Sequence, residues 1–136
     1  MRKLVLLLTI AGGLQLSAGT LSKNQKTSEN PLLSMPLAEM FWNLYRQKNT
    51  LGKFDCSNKA GLYARALQKA GFKSEIIVIR TLSRNILHAV VKVKCKDGFR
   101  YLDPTKGIQS TDLKQLGNFQ YTITYAELEK LGDDWR

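Results

Sequence analysis

The chain has 136 residues, 24% of them charged, a formal net charge of +10, two cysteines and a single histidine. That length accommodates one domain, two cysteines exclude a disulfide-dense scaffold, and one histidine excludes a closed Cys/His zinc site. No metal and no cofactor is expected. The basic residues are scattered without a recognition motif, so nucleic acid is not an expected partner. The charge leaves two readings open: plain solubility, or attraction to an anionic surface or polymer.

Residues 1–20 read MRKLVLLLTIAGGLQLSAGT. Arg2 and Lys3 precede an apolar run from Leu4 to Leu14, and Leu16-Ser17-Ala18 offers small residues for cleavage. This is the layout of a signal peptide, which predicts a secreted or periplasmic protein. The apolar run is shorter than the ~20 residues of a membrane span, and an uncleaved anchor is the alternative. Removing 1–20 takes two positive charges and leaves +8. Residues 21–35, polar at first and broken by Asn30-Pro31, read as a linker. The remaining segment, 36–136, is the expected domain.

Pro36 to Gln47 has the pattern of a helix. Pro36 suits a first helical position, and Leu37, Met40, Phe41 and Leu44 recur at helical spacing. Trp42 and Tyr45 widen that face, and core packing is the default expectation for them. A second helix runs from Cys56 to Ala70, with Asp55 as N-cap and Gly71 as the stop. Cys56, Ala60, Tyr63, Ala64 and Leu67 share one face, so the helix should be mostly buried.

Glu75 to Arg80 (EIIVIR) is apolar on both faces and β-branched, as a central strand is. His88 to Cys95 (HAVVKVKC) alternates, with Ala89, Val91, Val93 and Cys95 on one side. Lys96-Asp97-Gly98 makes a turn into a returning strand, Phe99 to Asp103, ended by Pro104. Phe119 to Thr124 is a further strand, and Ala126 to Leu131 a short helix closed by Gly132. Helices followed by antiparallel strands define an α+β fold.

Three polar residues occupy informative places. Cys56 opens a buried helix, where unpaired N–H groups and the macrodipole favour a thiolate. His88 opens one strand of the hairpin, and Asp103 closes the other. An imidazole beside a thiol needs a third group to fix its tautomer, and a carboxylate serves. With residue 95 paired to 99, His88 would oppose residue 106, leaving Asp103 a few residues away, which a slip or bulge can absorb. Strict alternation also turns His88 away from Ala89, Val91 and Val93. It must leave the regular pleat to meet a helix packed on that side.

The three blocks, Cys56 with its helix ending LQKAGF, then HAVVKV, then DGFRYLDPT, resemble the transglutaminase-like superfamily of papain-like cysteine enzymes. The resemblance covers about 55 residues, from Phe54 to Gly107. It implies a papain/transglutaminase-like core with Cys56 as nucleophile, His88 as base and acid, and Asp103 as orienting carboxylate. The position two residues after the histidine, often aromatic in the family, is Val90. The passage after the helix is Phe72-Lys73-Ser74, where the family often has proline and arginine. The Cys56 backbone N–H, with Trp42 or Tyr45, is a candidate oxyanion donor.

Such a triad predicts hydrolysis or acyl transfer at an amide or isopeptide, in a peptide, protein or cell-wall-like substrate. The two outcomes share one triad, and the sequence does not choose between them. The competing reading is a secreted, basic, non-catalytic binding module on the same scaffold. A disulfide between Cys56 and Cys95 is incompatible with the triad. His88 and Cys95 lie roughly 20 Å apart along one strand, and a disulfide needs Cα atoms within about 7 Å. On this reading Cys95 is a core-facing free thiol.

Overall fold

The computed structural model describes residues 29–136. The signal-peptide reading of 1–20 and most of the linker therefore fall outside the described residues. Asn30 caps a short 3-10 turn, Pro31–Leu33, through its side chain, and Pro31 is buried. Packing onto the domain thus begins ahead of Pro36.

Helix α1 spans Met35–Arg46 and buries Leu37, Phe41 and Leu44. Helix α2 spans Cys56–Lys69. Its start is fixed by a capping box: the Asp55 carboxylate accepts from the Ser57 N–H, and the Asn58 side chain accepts from the Asp55 N–H. Two orphan N–H groups are satisfied this way. The helix ends where Gly71 takes φ +97°, the left-handed conformation glycine tolerates best. Cys56, Lys59, Ala60, Gly61, Tyr63, Ala64 and Leu67 are its buried residues.

Five antiparallel strands follow: β1 (Ser74–Thr81), β2 (Leu87–Cys95), β3 (Gly98–Asp103), β4 (Ile108–Ser110) and β5 (Gly117–Ile123). They form one sheet in the order β4-β3-β2-β1-β5, with the apolar β1 and β2 inside it. Helix α3 (Tyr125–Leu131) follows behind a second capping box, Thr124 with Glu127, and a 3-10 turn, Gly132–Trp135, comes after it. Among the described residues the protein is thus an α+β fold of three α-helices and a five-stranded antiparallel sheet.

The main core lies between the helices and one sheet face. Phe41, Tyr63, Leu67, Ile76, Val78, Ala89, Val91 and Leu102 are among its buried members. The other face carries a smaller cluster, Ile77, Ile79, Val90 and Leu116, supported by Tyr101 and Leu113. Strand β1 therefore sends apolar residues both ways, which explains its unbroken hydrophobic run.

Three expectations are corrected. The hairpin pairs Cys95 with Gly98, not with residue 99. Gly98 adopts φ +123° and joins the ladder itself, which shortens the loop to Lys96-Asp97. Trp42 and Tyr45 are not core residues. They are 39% and 44% exposed, and their rings stack edge to face over the outside of α1. Gly107 packs beneath them, so that a Cβ there would lie 3.0 Å from both rings. Residues 109–118, given no structure from sequence, contribute the edge strand β4 and a 3-10 turn, Leu113–Gln115, capped by Asp112.

Candidate active site

The three residues singled out from sequence are all buried: Cys56 7% exposed, His88 6% and Asp103 2%. Two are joined directly. The His88 Nε2 and Asp103 Oδ2 atoms are 2.8 Å apart. The hairpin ladder explains how they meet. Strands β2 and β3 pair as far as Val91 with Leu102. Extending that register would place Asp103 opposite Val90, two residues from His88, a diagonal that side chains can span. His88 is meanwhile held on its other flank by the pairing with Ile79 of β1.

Asp103 is fixed as firmly as the ring it holds. Its Oδ1 accepts from the backbone N–H groups of Thr105 (3.0 Å) and Lys106 (3.1 Å), and its carbonyl accepts from Gly107. Asp-Pro-Thr is therefore an Asx-type turn that spends one carboxylate oxygen on the backbone and points the other at the imidazole. The turn ends at Gly107 (φ +70°), directly under Trp42 and Tyr45.

His88 carries the electrostatic signature of the site. Burial pulls its pKa down. Hydrogen bonding to Asp103 and Cys56 as acceptors, and the charges on both, outweigh burial and push it up to about 9. The imidazolium is thus the favoured form at neutral pH. With Nε2 committed to Asp103, Nδ1 is the ring nitrogen left for another partner.

Cys56 sits at the first helical position of α2, where no intrahelical carbonyl can reach its N–H. The N-cap in front of it is Asp55, an anion beside a potential thiolate. That charge is compensated. Its Oδ2 accepts from Arg136 Nη2 at 2.6 Å and from the Gly52 N–H, and its Oδ1 from Ser57 Oγ and the Ser57 N–H. Burial alone would raise the Asp55 pKa, but these hydrogen bonds bring it down to about 2. Both Cys56 and Cys95 are free. Burial pushes the Cys95 thiol up, away from reactivity.

A further ionisable group lies close to these residues. Lys59, one turn after Cys56 on the same face, is 1% exposed and donates from Nζ to the Gln47 carbonyl at 2.7 Å. Burial lowers its pKa against the opposing pull of Asp103 and Cys56. Sequence reasoning passed over both Lys59 and Arg136. The signal for Lys59 was available: a lysine on the stripe shared by Cys56, Ala60 and Tyr63. Arg136 is 81 residues from its partner and left no local pattern.

A cavity of about 250 Å³ opens beside the first turn of α2, between Lys53, Ser57 and Leu62 on one side and Tyr125 and Glu129 on the other. It adjoins the Cys56 turn, but none of the three triad residues lines it. Among the described residues no cluster of histidine, cysteine and carboxylate groups could hold a metal ion.

Comparison of the chain with protein-family models, with curated proteins and with solved structures finds no match. Function is therefore argued from the site.

Proposed function

We propose that this chain is a thiol-dependent acyl-transfer enzyme of the transglutaminase-like, papain-like kind, acting on amide or isopeptide bonds. The observation that carries the reading is the buried His88 imidazole, 2.8 Å from a carboxylate that two backbone N–H groups fix and raised in pKa in part by a helix-start thiol. A satisfied core histidine needs one partner. A ring bonded through Nε2 to a carboxylate and coupled electrostatically to a cysteine as well is arranged for acid–base work beside a nucleophile.

The chemistry follows from that arrangement. With His88 already an imidazolium, loss of the Cys56 proton to solvent gives the thiolate–imidazolium pair. The sulfur attacks the carbonyl carbon, the C–S bond forms, and the carbonyl electron pair moves onto oxygen. The Cys56 N–H at the α2 start is the nearest preformed donor for that oxyanion. When the intermediate collapses, the C–N bond breaks and the imidazolium protonates the departing amine. A thioester remains. Water, deprotonated by the now neutral imidazole, attacks it and releases the acid and the Cys56 thiolate, with the proton back on His88. An amine in place of water gives transfer. For a chain read as exported, hydrolysis of peptide, protein or cell-wall-like amides is the reading we favour.

The test is acylation by p-nitrophenyl acetate. The intact chain should form a thioester at Cys56, seen by mass spectrometry and cleaved by hydroxylamine. Cys56→Ala should form none while keeping its fold. If Cys56→Ala turns over substrate like the parent, the enzyme reading is lost. Salt-sensitive attachment to an anionic surface would then support the binding-module alternative.

A further inference from the structure

We infer that Lys59 is a positioning residue of the candidate site: its buried ammonium is the fourth charge that allows the Cys56 thiolate, the His88 imidazolium and the Asp103 carboxylate to coexist out of water. This rests on the reading of Cys56 as a nucleophile.

Burial sets the problem. Cys56, His88 and Asp103 are all largely withdrawn from solvent. A thiol, an imidazolium and a carboxylate together are neutral. Once the thiol ionises while His88 keeps its proton, the three groups sum to −1. A net charge in a buried site is strongly disfavoured unless it is paired. The cheapest correction is for the thiol to regain its proton, which removes the nucleophile.

Lys59 supplies the missing positive charge from inside. It lies three residues after Cys56 on the buried face of α2, and its side chain is anchored by the bond to the Gln47 carbonyl at the C-terminal end of α1. Asp103 and Cys56 are the two charges that act on it. With Lys59 the reactive cluster of four groups sums to zero.

The surrounding charges do not replace it. From α2's own N-terminus, Asp55 is paired with Arg136 and faces the cap. From the same helix face, Tyr63 is un-ionised at neutral pH, its pKa pushed up by burial, and its hydroxyl donates to the Leu37 carbonyl. From β2 and β3 come His88 and Asp103, already counted. Gln47 presents a neutral carbonyl dipole. A lysine whose whole task was to tie α1 to α2 could do so from the surface. Burying it to 1% exposure carries a desolvation penalty, which the Gln47 carbonyl and the pull of Asp103 and Cys56 offset in part, its pKa staying below the ordinary lysine value.

The test is the pH profile of Cys56 alkylation by iodoacetamide, with the labelled residue mapped by mass spectrometry, in the full chain and in Lys59→Met. Removing the charge should slow alkylation near pH 6 by about tenfold or more, with the two rates converging at high pH. A folded Lys59→Met with the parent profile overturns the inference. Because that variant could fail to fold, a reciprocal measurement uses a milder change. The ¹³Cε resonance of Lys59 is titrated in the parent and in Cys56→Ser. Linkage requires that removing the sulfur anion makes Lys59 lose its proton at lower pH, by the same factor. An identical Lys59 titration in both proteins overturns the inference. Failure of the underlying reading looks different: Cys56 would then be unreactive near pH 6 in the parent itself.

Discussion

Asp103→Asn isolates the role of the carboxylate with little structural cost. The amide oxygen can still accept from the Thr105 and Lys106 N–H groups, so the turn survives. What it loses is the acceptor at the Oδ2 position, 2.8 Å from His88 Nε2, and the negative charge. His88 stands at about 9 against an ordinary 6.5, with burial opposing the rise. Losing the whole rise would leave His88 only about a quarter protonated at pH 7, where the parent is almost wholly protonated, so the thiolate–imidazolium population would fall about fourfold there and about 80-fold at pH 8.5. Because Cys56 supplies part of the rise, a loss of about two- to fourfold near pH 7, growing as pH rises, is expected. Iodoacetamide alkylation of Cys56 from pH 7 upward reads this directly and needs no substrate. The amide NH₂ should also favour the opposite imidazole tautomer, visible in a ¹H–¹⁵N long-range spectrum. A folded Asp103→Asn variant that alkylates as fast as the parent and keeps the parent's tautomer would refute the orienting role.

Three further outcomes follow from other parts of the fold. Asp55 has its pKa lowered to about 2 from 3.8, so its pairing stabilises the fold above pH 3.8 and is lost as pH falls through about 2. The shift corresponds to about 2 kcal/mol; Asp55→Asn should lose that stability at pH 7 and flatten the acid limb in urea melts, whereas an unchanged acid limb would place the stabilisation elsewhere. At Gly117 a Cβ would sit 2.4 Å from the Arg80 carbonyl oxygen; Gly117→Ala should cost about 1–3 kcal/mol and lower the melting temperature without altering the Cys56 alkylation profile. Native-state alkylation should label Cys56 and spare Cys95, whose thiol is buried and pushed up; equal labelling of both would show that the helix start confers no special reactivity.

Much of the framework was readable from residue order. The Asp55 cap, the apolar face of α2, the two-sided apolar run of β1 and the existence of a turn after Cys95 are local patterns, each governed by neighbours a few residues away. The meeting of Cys56, His88 and Asp103 was legible only as three motifs in order. What sequence missed shares one physical character: it depends on contacts distant in the chain. The pairing of Arg136 with Asp55 is one case. The exposure of Trp42 and Tyr45 is another, since helical spacing put them on the wide apolar face and only the packing of Gly107 shows where that face ends. The edge strand β4 is three residues long and owes its existence to a partner strand. The register slip at Gly98 came from counting a permissive glycine as loop when its positive φ lets it join the ladder.

The single histidine in the chain makes the central claim directly measurable. A ¹⁵N–¹H titration of the imidazole in the parent protein and in Cys56→Ser should show an imidazolium that persists to about pH 9 in the parent and loses its proton at lower pH once the sulfur is gone. The same linkage makes stability from this group full below pH 6.5 and lost as pH rises through about 9. One imidazole titrating near 6.5 in both proteins would mean that thiol, ring and carboxylate do not act as a unit, and the proposed chemistry would have no site.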